Sequence, residues 1–246
     1  MNYSRAELMA LVMTRALRDG DVVVCGTNAT LPGAAYRTAQ RLAKPRVAAL
    51  IGASGTLDPD LDGAPVSGGD QAFIPGRATL DLGTGVMDQL RGFIDVIFLG
   101  ALQLDVEGRI NLAVIGDYAR PRLRGPGSIG LSMVGSVPRC FLFFESHDPR
   151  VFVPQVDFVS GETLRRGAPD ALLVVTPLAV FAPAPGGSTV ALQSVHPGVS
   201  FEDVQARTGF PLDAAAARVT PAPSEAELAA LRASVDGRRL ADYPLG

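Results

Sequence analysis

Two loops of small residues are the places where this sequence is equipped for chemistry. Gly52-Ala53-Ser54-Gly55 follows the apolar run VAALI, and Gly26-Thr27-Asn28 follows VVVC. Ser54 is a nucleophile by type, but its motif holds no base, and a hydroxyl attacks only when a neighbour takes its proton. Asn28 can donate to a substrate carbonyl and equally suits an Asx-turn. A third stretch, Gly125-Pro126-Gly127-Ser128-Ile129-Gly130, spells G-x-G-x-x-G. The dinucleotide fingerprint needs a buried strand before it and a helix after it. Here YARPRLR precedes it, with a proline and three arginines, which argues against NAD. A nest of backbone amides for an oxyanion or pyrophosphate remains, as does a plain turn. Arg120, Arg122 and Arg124 suit a phosphate or carboxylate, or simply a solvated loop.

The two histidines stand apart. His147, in ESHDPR, is a candidate general base whose tautomer Glu145 or Asp148 would hold. His196 precedes Pro197-Gly198 and reads better as a turn-capping residue than a catalytic one. No His, Cys or carboxylate group has metal-ligand spacing, so no metal is expected. Cys25 and Cys140 border apolar runs and read as buried free thiols of a reducing compartment.

The elements that must position these groups follow from the hydrophobic pattern. Ser4 and Glu7 have capping-box spacing, and a helix should run from there to Asp19-Gly20. DVVVCG reads as a buried strand, AAYRTAQRLA as a helix ended by Lys44-Pro45, and VAALIG as another buried strand. Helix, strand, helix, strand implies crossover units and an α/β fold. DVIFLGAL (95–102), RINLAVIG (109–116), RCFLFFE (139–145) and ALLVVTPLAVFA (171–182) are further strand candidates. Helical pattern is sparse from 95 to 200, so the second half should be mixed or antiparallel. SEAELAALRASV (224–235) returns to a helix capped by Ser224 and Glu227. The stretch APAPGGST (182–189) is a hairpin or loop, and residues 1–246 are expected to form a single domain. The expected fold is an open, mostly parallel α/β sheet with a mixed second half.

Composition narrows the function. The 246 residues include 22 basic and 25 acidic side chains, a net charge of −3, and are 47% hydrophobic. That balance excludes disorder and sets nucleic acid aside, since phosphate binding requires clustered cations. No segment suits a signal peptide or a membrane span, so the expected location is cytoplasmic.

Four stretches together resemble the β-subunit of family I CoA-transferases of the glutaconate CoA-transferase type. They are SRAELMALVMTRALRDGDVVVCG, FLGALQLDVEGRINLAVIGDYARPRLRGPGSIG, RVFVPQVDFVSG and VHPGV. The most specific is FLGALQLD…GRIN, which looks like that family's G-A-x-Q-x-D-x-x-G-x-x-N. The resemblance implies an open sheet of the CoA-transferase type, an α-type partner subunit, and acyl-CoA bound at their interface. It implies no cofactor beyond the coenzyme A carried by the substrate. In genuine transferases of this type the loop after the second strand carries Glu-Ser-Gly, and that carboxylate attacks the thioester. Here Ala53 occupies the glutamate position, and a methyl group is no nucleophile. Relatives that abandoned transfer include ring-opening hydrolases of steroid breakdown and decarboxylases of 3-methylglutaconyl-CoA. GTLDPDLD looks nearer to the decarboxylases. Gly26, Gln103, Gly125, Gly127, Ser128 and Gly130 are the positions carried over as substrate or CoA contacts, with the loop amides facing the acyl-CoA carbonyl. Three functions are compatible with these residues: a decarboxylase or C–C hydrolase subunit, a transferase subunit whose acid comes from the partner, and a non-catalytic structural subunit.

Overall fold

The structure is a computed structural model. It describes residues 2–25, 30–51, 55–59, 76–79, 92–127, 134–165, 168–216, 218–234, 240 and 243–245. The chain divides into two compact units. The first comprises Met1–Leu99, Ser136–Pro138 and Pro223–Pro244, and the second comprises Gly100–Gly135, Arg139–Ala222 and Leu245–Gly246.

The first unit opens with helix α1 (Arg5–Ala16), strand β1 (Val22–Cys25), helix α2 (Thr30–Arg41) and strands β2 (Ala48–Ile51), β3 (Thr56–Pro59), β4 (Gly76–Thr79) and β5 (Val96–Leu99). The second unit adds β6 (Gln103–Leu104), β7 (Arg109–Asn111), β8 (Val114–Gly116), β9 (Pro121–Arg124), β10 (Arg139–Phe143), β11 (Gly161–Glu162), β12 (Leu172–Val175), β13 (Ala179–Pro183) and β14 (Val190–Val195). Helix α3 (Phe201–Ala206) and β15 (Arg218–Val219) complete it, and helix α4 (Glu225–Ser234) returns to the first unit.

In the first unit the capping box forms as the sequence implies. Ser4 Oγ accepts from the Glu7 N–H at 3.1 Å, and Glu7 Oε2 accepts from the Ser4 N–H at 2.7 Å. The helix stops at Ala16, earlier than the expected Asp19-Gly20. Leu17 turns extended at φ −68, ψ 151 and buries its side chain. Gly20, at φ +92, then makes the turn into β1. Every residue from Ala6 to Thr14 is buried, so α1 is an interior helix packed on α2 and α4 rather than an amphipathic one. Fully burying a Leu or Met there is worth about 1.5–3 kcal/mol each. Lys44 Nζ donates to the Thr14 and Arg15 carbonyls at 2.8 and 3.1 Å, capping the end of α1 with a cation.

The sheet of this unit runs β5-β1-β2-β3-β4. β1 is parallel to β2 in the register Val22↔Ala48 to Cys25↔Ile51, and parallel to β5 through Val23↔Val96. β2, β3 and β4 are antiparallel neighbours. The chain resumes after the Gly52–Gly55 stretch directly in strand β3.

In the second unit β10 pairs parallel to β12, followed by an antiparallel β12-β13-β14 meander and a parallel β15. The 171–182 run is two strands rather than one. Thr176 Oγ1 accepts from the Leu178 and Ala179 N–H groups at 3.1 and 3.0 Å, and Pro177 has no donor to continue a ladder. The 109–116 run likewise splits into β7 and β8. Residues 184–189 close the β13–β14 hairpin, with Ala184 N–H donating to Thr189 O at 2.8 Å. The mixed second half is therefore an observed property. Two small ladders, β11-β7-β6 and β8-β9, carry the polar residues of interest.

Candidate functional site

In the first unit the parallel strands β1 and β2 end at register partners, Cys25 and Ile51. Both sequences singled out for chemistry leave from that carboxyl edge, where open α/β sheets place their ligands. Gly26, Asn28, Ala53 and Ser54 themselves lie outside the described residues. Gly55, at φ +67, is buried and feeds Thr56, the partner of Ile51 across the β2–β3 hairpin. Cys25 is a free, buried thiol that burial pushes up to about 12, so it is no nucleophile near neutral pH. Burial does the same to Cys140, also to about 12.

In the second unit the G-A-x-Q-x-D-x-x-G-x-x-N stretch folds as the β6–β7 hairpin, and its polar residues face one another. Gln103 is 4% exposed. Its Oε1 accepts from Asn111 Nδ2 at 2.7 Å and from the Asp157 N–H at 3.0 Å, while Nε2 donates to Asp157 Oδ2 at 3.3 Å. The oxygen is saturated, and a single amide N–H is all Gln103 retains for a ligand. Asn111 is fully buried. Its Oδ1 accepts from Ala113 N–H at 2.9 Å and Val114 N–H at 3.2 Å, and its Nδ2 also donates to Val114 O at 2.6 Å. Asp105, also fully buried, pairs with Arg109 Nε at 2.8 Å and accepts from the Glu107, Arg109 and Val156 N–H groups. Gly108 completes the turn at φ +71, where a Cβ would stand 2.5 Å from Leu164 Cγ. A motif of this kind is a brace: each polar atom is buried and bonded within the chain. Its outward link is Asp157, whose Oδ2 accepts from the Gly116 N–H at 2.7 Å and so ties β8 to the brace.

In the Gly125–Gly130 segment two backbone amides are bonded within the chain. The N–H of Gly125 donates to Ala113 O at 2.8 Å and that of Gly127 to Leu112 O at 3.1 Å. Pro126 has no N–H. The first half of the loop therefore extends the β8–β9 ladder and offers no amides to a thioester carbonyl. Gly125 is needed because a Cβ would strike the Leu112 carbonyl, and Gly127 because φ is +82. Ser128 and Gly130 lie outside the described residues. The segment before them is a strand, but an exposed antiparallel one, which is still not the context of a dinucleotide fingerprint.

His147 is not a poised base. It is 2% exposed, stacked on Phe152 with centroids 4.2 Å apart, and bonded through Nδ1 to Thr176 Oγ1 at 2.9 Å and through Nε2 to Thr208 Oγ1 at 3.0 Å. Threonines, not Glu145 or Asp148, hold the ring. Burial, assisted by Arg207, lowers its pKa to about 4, so it is neutral at physiological pH. His196 is fully buried, its Nε2 donating to Thr176 O at 2.9 Å and its Nδ1 3.0 Å from Thr220 Oγ1. Thr176, Thr208, Thr220 and Asp157 escaped the sequence reading. Only Asp157 had a signal, its place in the RVFVPQVDFVSG stretch.

Comparison with known proteins places this geometry. The profile of the coenzyme A transferase family matches residues 7–207. The chain belongs to that family. Among its relatives, one subunit of the 3-oxoadipate CoA-transferase of Pseudomonas knackmussii is 33% identical, the match covering 94% of this chain and 93% of that one. The crystal structure of the decarboxylase AibA/AibB superposes with a TM-score of 0.86 at 28% identity over 99% of both chains. The cholesterol ring-cleaving hydrolase IpdB subunit of Rhodococcus jostii is 28% identical, covering 97% of this chain and 95% of that one. This coenzyme A transferase chain thus has relatives named for transfer, decarboxylation and hydrolysis. The open α/β sheet expected from the sequence is the sheet of that family.

Proposed function

We propose that the chain is the β-type subunit of a heteromeric acyl-CoA enzyme that cleaves a carbon–carbon bond of its substrate, by decarboxylation or by hydrolysis. Ala53 carries this reading: the position that the family resemblance assigns to the attacking glutamate bears only a methyl group. Without that carboxylate the chain forms no acyl anhydride or CoA thioester at this position, and the ping-pong route of a transferase does not run through it. What stays open is chemistry that develops charge on the thioester. In a decarboxylation the electron pair of the departing CO2 enters the enolate conjugated with the thioester, and a proton later replaces it. Fixed N–H donors facing that oxygen are worth roughly 2.7–4 kcal/mol each. With Gly125 and Gly127 committed to the ladder, the donors in this chain come from Ser128 to Gly130 and from Asn28. Coenzyme A enters as part of the substrate, and an α-type partner of the same family closes the site.

The likeness to AibA/AibB and to IpdB supports this reading. A second reading draws on the 33% identity to a 3-oxoadipate CoA-transferase chain: transfer persists, with the attacking carboxylate supplied by the partner. Co-expression with the partner subunit and mass spectrometry of an acyl-CoA panel separate the two. Loss of CO2 or gain of water, with no CoA passed to an added labelled carboxylic acid, is expected. Formation of the labelled acid's CoA thioester overturns the proposal.

A further inference from the structure

Three arginines, Arg120, Arg122 and Arg124, fall close together in a chain whose balance is otherwise 22 basic to 25 acidic side chains. All three are exposed, and Arg122 and Arg124 stand two residues apart on β9, with Arg122 at the register shift beside Gly116. Gly116 on β8 leaves room for Arg122: a Cβ there would stand 3.3 Å from its Nε. Arg124 lies over the Tyr118 ring, its guanidinium carbon 5.0 Å from the centroid, and donates to Tyr118 O at 3.1 Å. Tyr118 in turn stacks on Phe158 at 5.4 Å between centroids, and both rings are exposed, by 59% and 37%.

Among the described residues these cations are poorly neutralised. Asp157 is 4.0 Å from Arg122, and its Oδ2 already accepts from Gly116 and Gln103. Asp117 Oδ1 is engaged by the N–H groups of Ala119 and Arg120. The Arg120 guanidinium has no partner among the described residues. A lone carboxylate ligand would occupy one fork and leave the others bare. Several forks beside an exposed aromatic pair match a ligand that joins phosphates to a heterocyclic base.

We propose that this face of the β8–β9 hairpin binds the phosphorylated adenosine end of the CoA thioester, guanidinia on the phosphates and the base against the Tyr118–Phe158 pair. The inference rests on the acyl-CoA reading and names the residues that hold the end of the substrate remote from the thioester. The brace reaches this face: Gln103 bonds Asp157, Asp157 bonds the Gly116 N–H, and Gly116 lies against Arg122.

Calorimetric titration of the full chain, assembled with its partner subunit, with CoA, dephospho-CoA, pantetheine and ATP tests it. CoA binding is expected to weaken with salt and to be weakened about tenfold or more when Arg122→Gln and Arg124→Gln are combined. Pantetheine binding should be unchanged, dephospho-CoA should lose less than CoA, and Arg124→Lys should keep the salt slope. Thermal melting of the variant confirms its fold. Wild-type and variant binding CoA equally well would overturn this inference and leave the acyl-CoA reading standing. Equal loss of CoA and pantetheine, or loss of the partner, would make the face a structural or intersubunit surface and overturn it too. ATP bound in preference to CoA, or no CoA bound by the wild type, would sink the acyl-CoA reading itself.

Discussion

His147 shows how a reactive residue type becomes inert. With its folded pKa near 4 and its ordinary value at 6.5, the unfolded chain takes up the proton first as the pH falls. Stability from the neutral buried ring is complete above about pH 6.5 and is lost progressively towards pH 4, amounting to about 3 kcal/mol at most. Urea midpoints across that range should slope downwards towards acid, and His147→Gln should flatten the slope. An identical slope in the variant would assign the acid sensitivity elsewhere. Gly108 is the second decisive residue. A side chain there meets both φ +71 and Leu164 at 2.5 Å, so Gly108→Ala is expected to cost about 1–3 kcal/mol. A denaturation midpoint within error of the wild type would contradict the brace.

At the scale of elements, α4 is held on α1 by two ion pairs that run in opposite directions. Arg15 Nε meets Glu227 Oε1 at 2.7 Å, and Arg232 Nε meets Glu7 Oε1 at 2.7 Å. Burial opposes the charge on Glu7, yet the bonds from Arg232 and Ser4 outweigh it and hold the carboxyl below its ordinary range. Glu7 is 6% exposed at the side chain, so Arg232→Ala strands a buried carboxylate and should cost about 1–3 kcal/mol. Adding Glu7→Gln should recover part of that loss, and a double-mutant cycle measures how much. Additive losses would make the pair incidental. The hairpin β8–β9 is the other critical element: Gly125→Ala drives a methyl group into the Leu112 carbonyl, whereas Gly127→Ala enters open space and bears only the strain of φ +82. The first should lower the melting temperature by more than the second, whose cost is about 1 kcal/mol.

For the whole molecule, the absence of a carboxylate at position 53 makes a covalent prediction. After incubation of the complete enzyme with acyl-CoA, hydroxylamine should leave every peptide of this chain unmodified. If residue 53 is where the proposed reading puts the attacking acid, Ala53→Glu is expected to yield a trapped peptide spanning residue 53. A modified Asp or Glu in the unaltered chain would return it to the transferases.

Sequence alone determined the local and the repetitive parts of this protein. The Ser4–Glu7 and Ser224–Glu227 capping boxes, the buried runs of β1 and β2 and the mixed second half were all legible, because each depends on neighbours within a few residues or on a plain hydrophobic run. Tertiary structure decided the fate of the polar groups. Gln103 is claimed by Asp157, 54 residues away, and His147 by Thr176 and Thr208, 29 and 61 residues away. The amides of Gly125 and Gly127 donate to Ala113 and Leu112 because two short strands pair. A buried donor or acceptor must find a partner, but strand pairing and register choose which one.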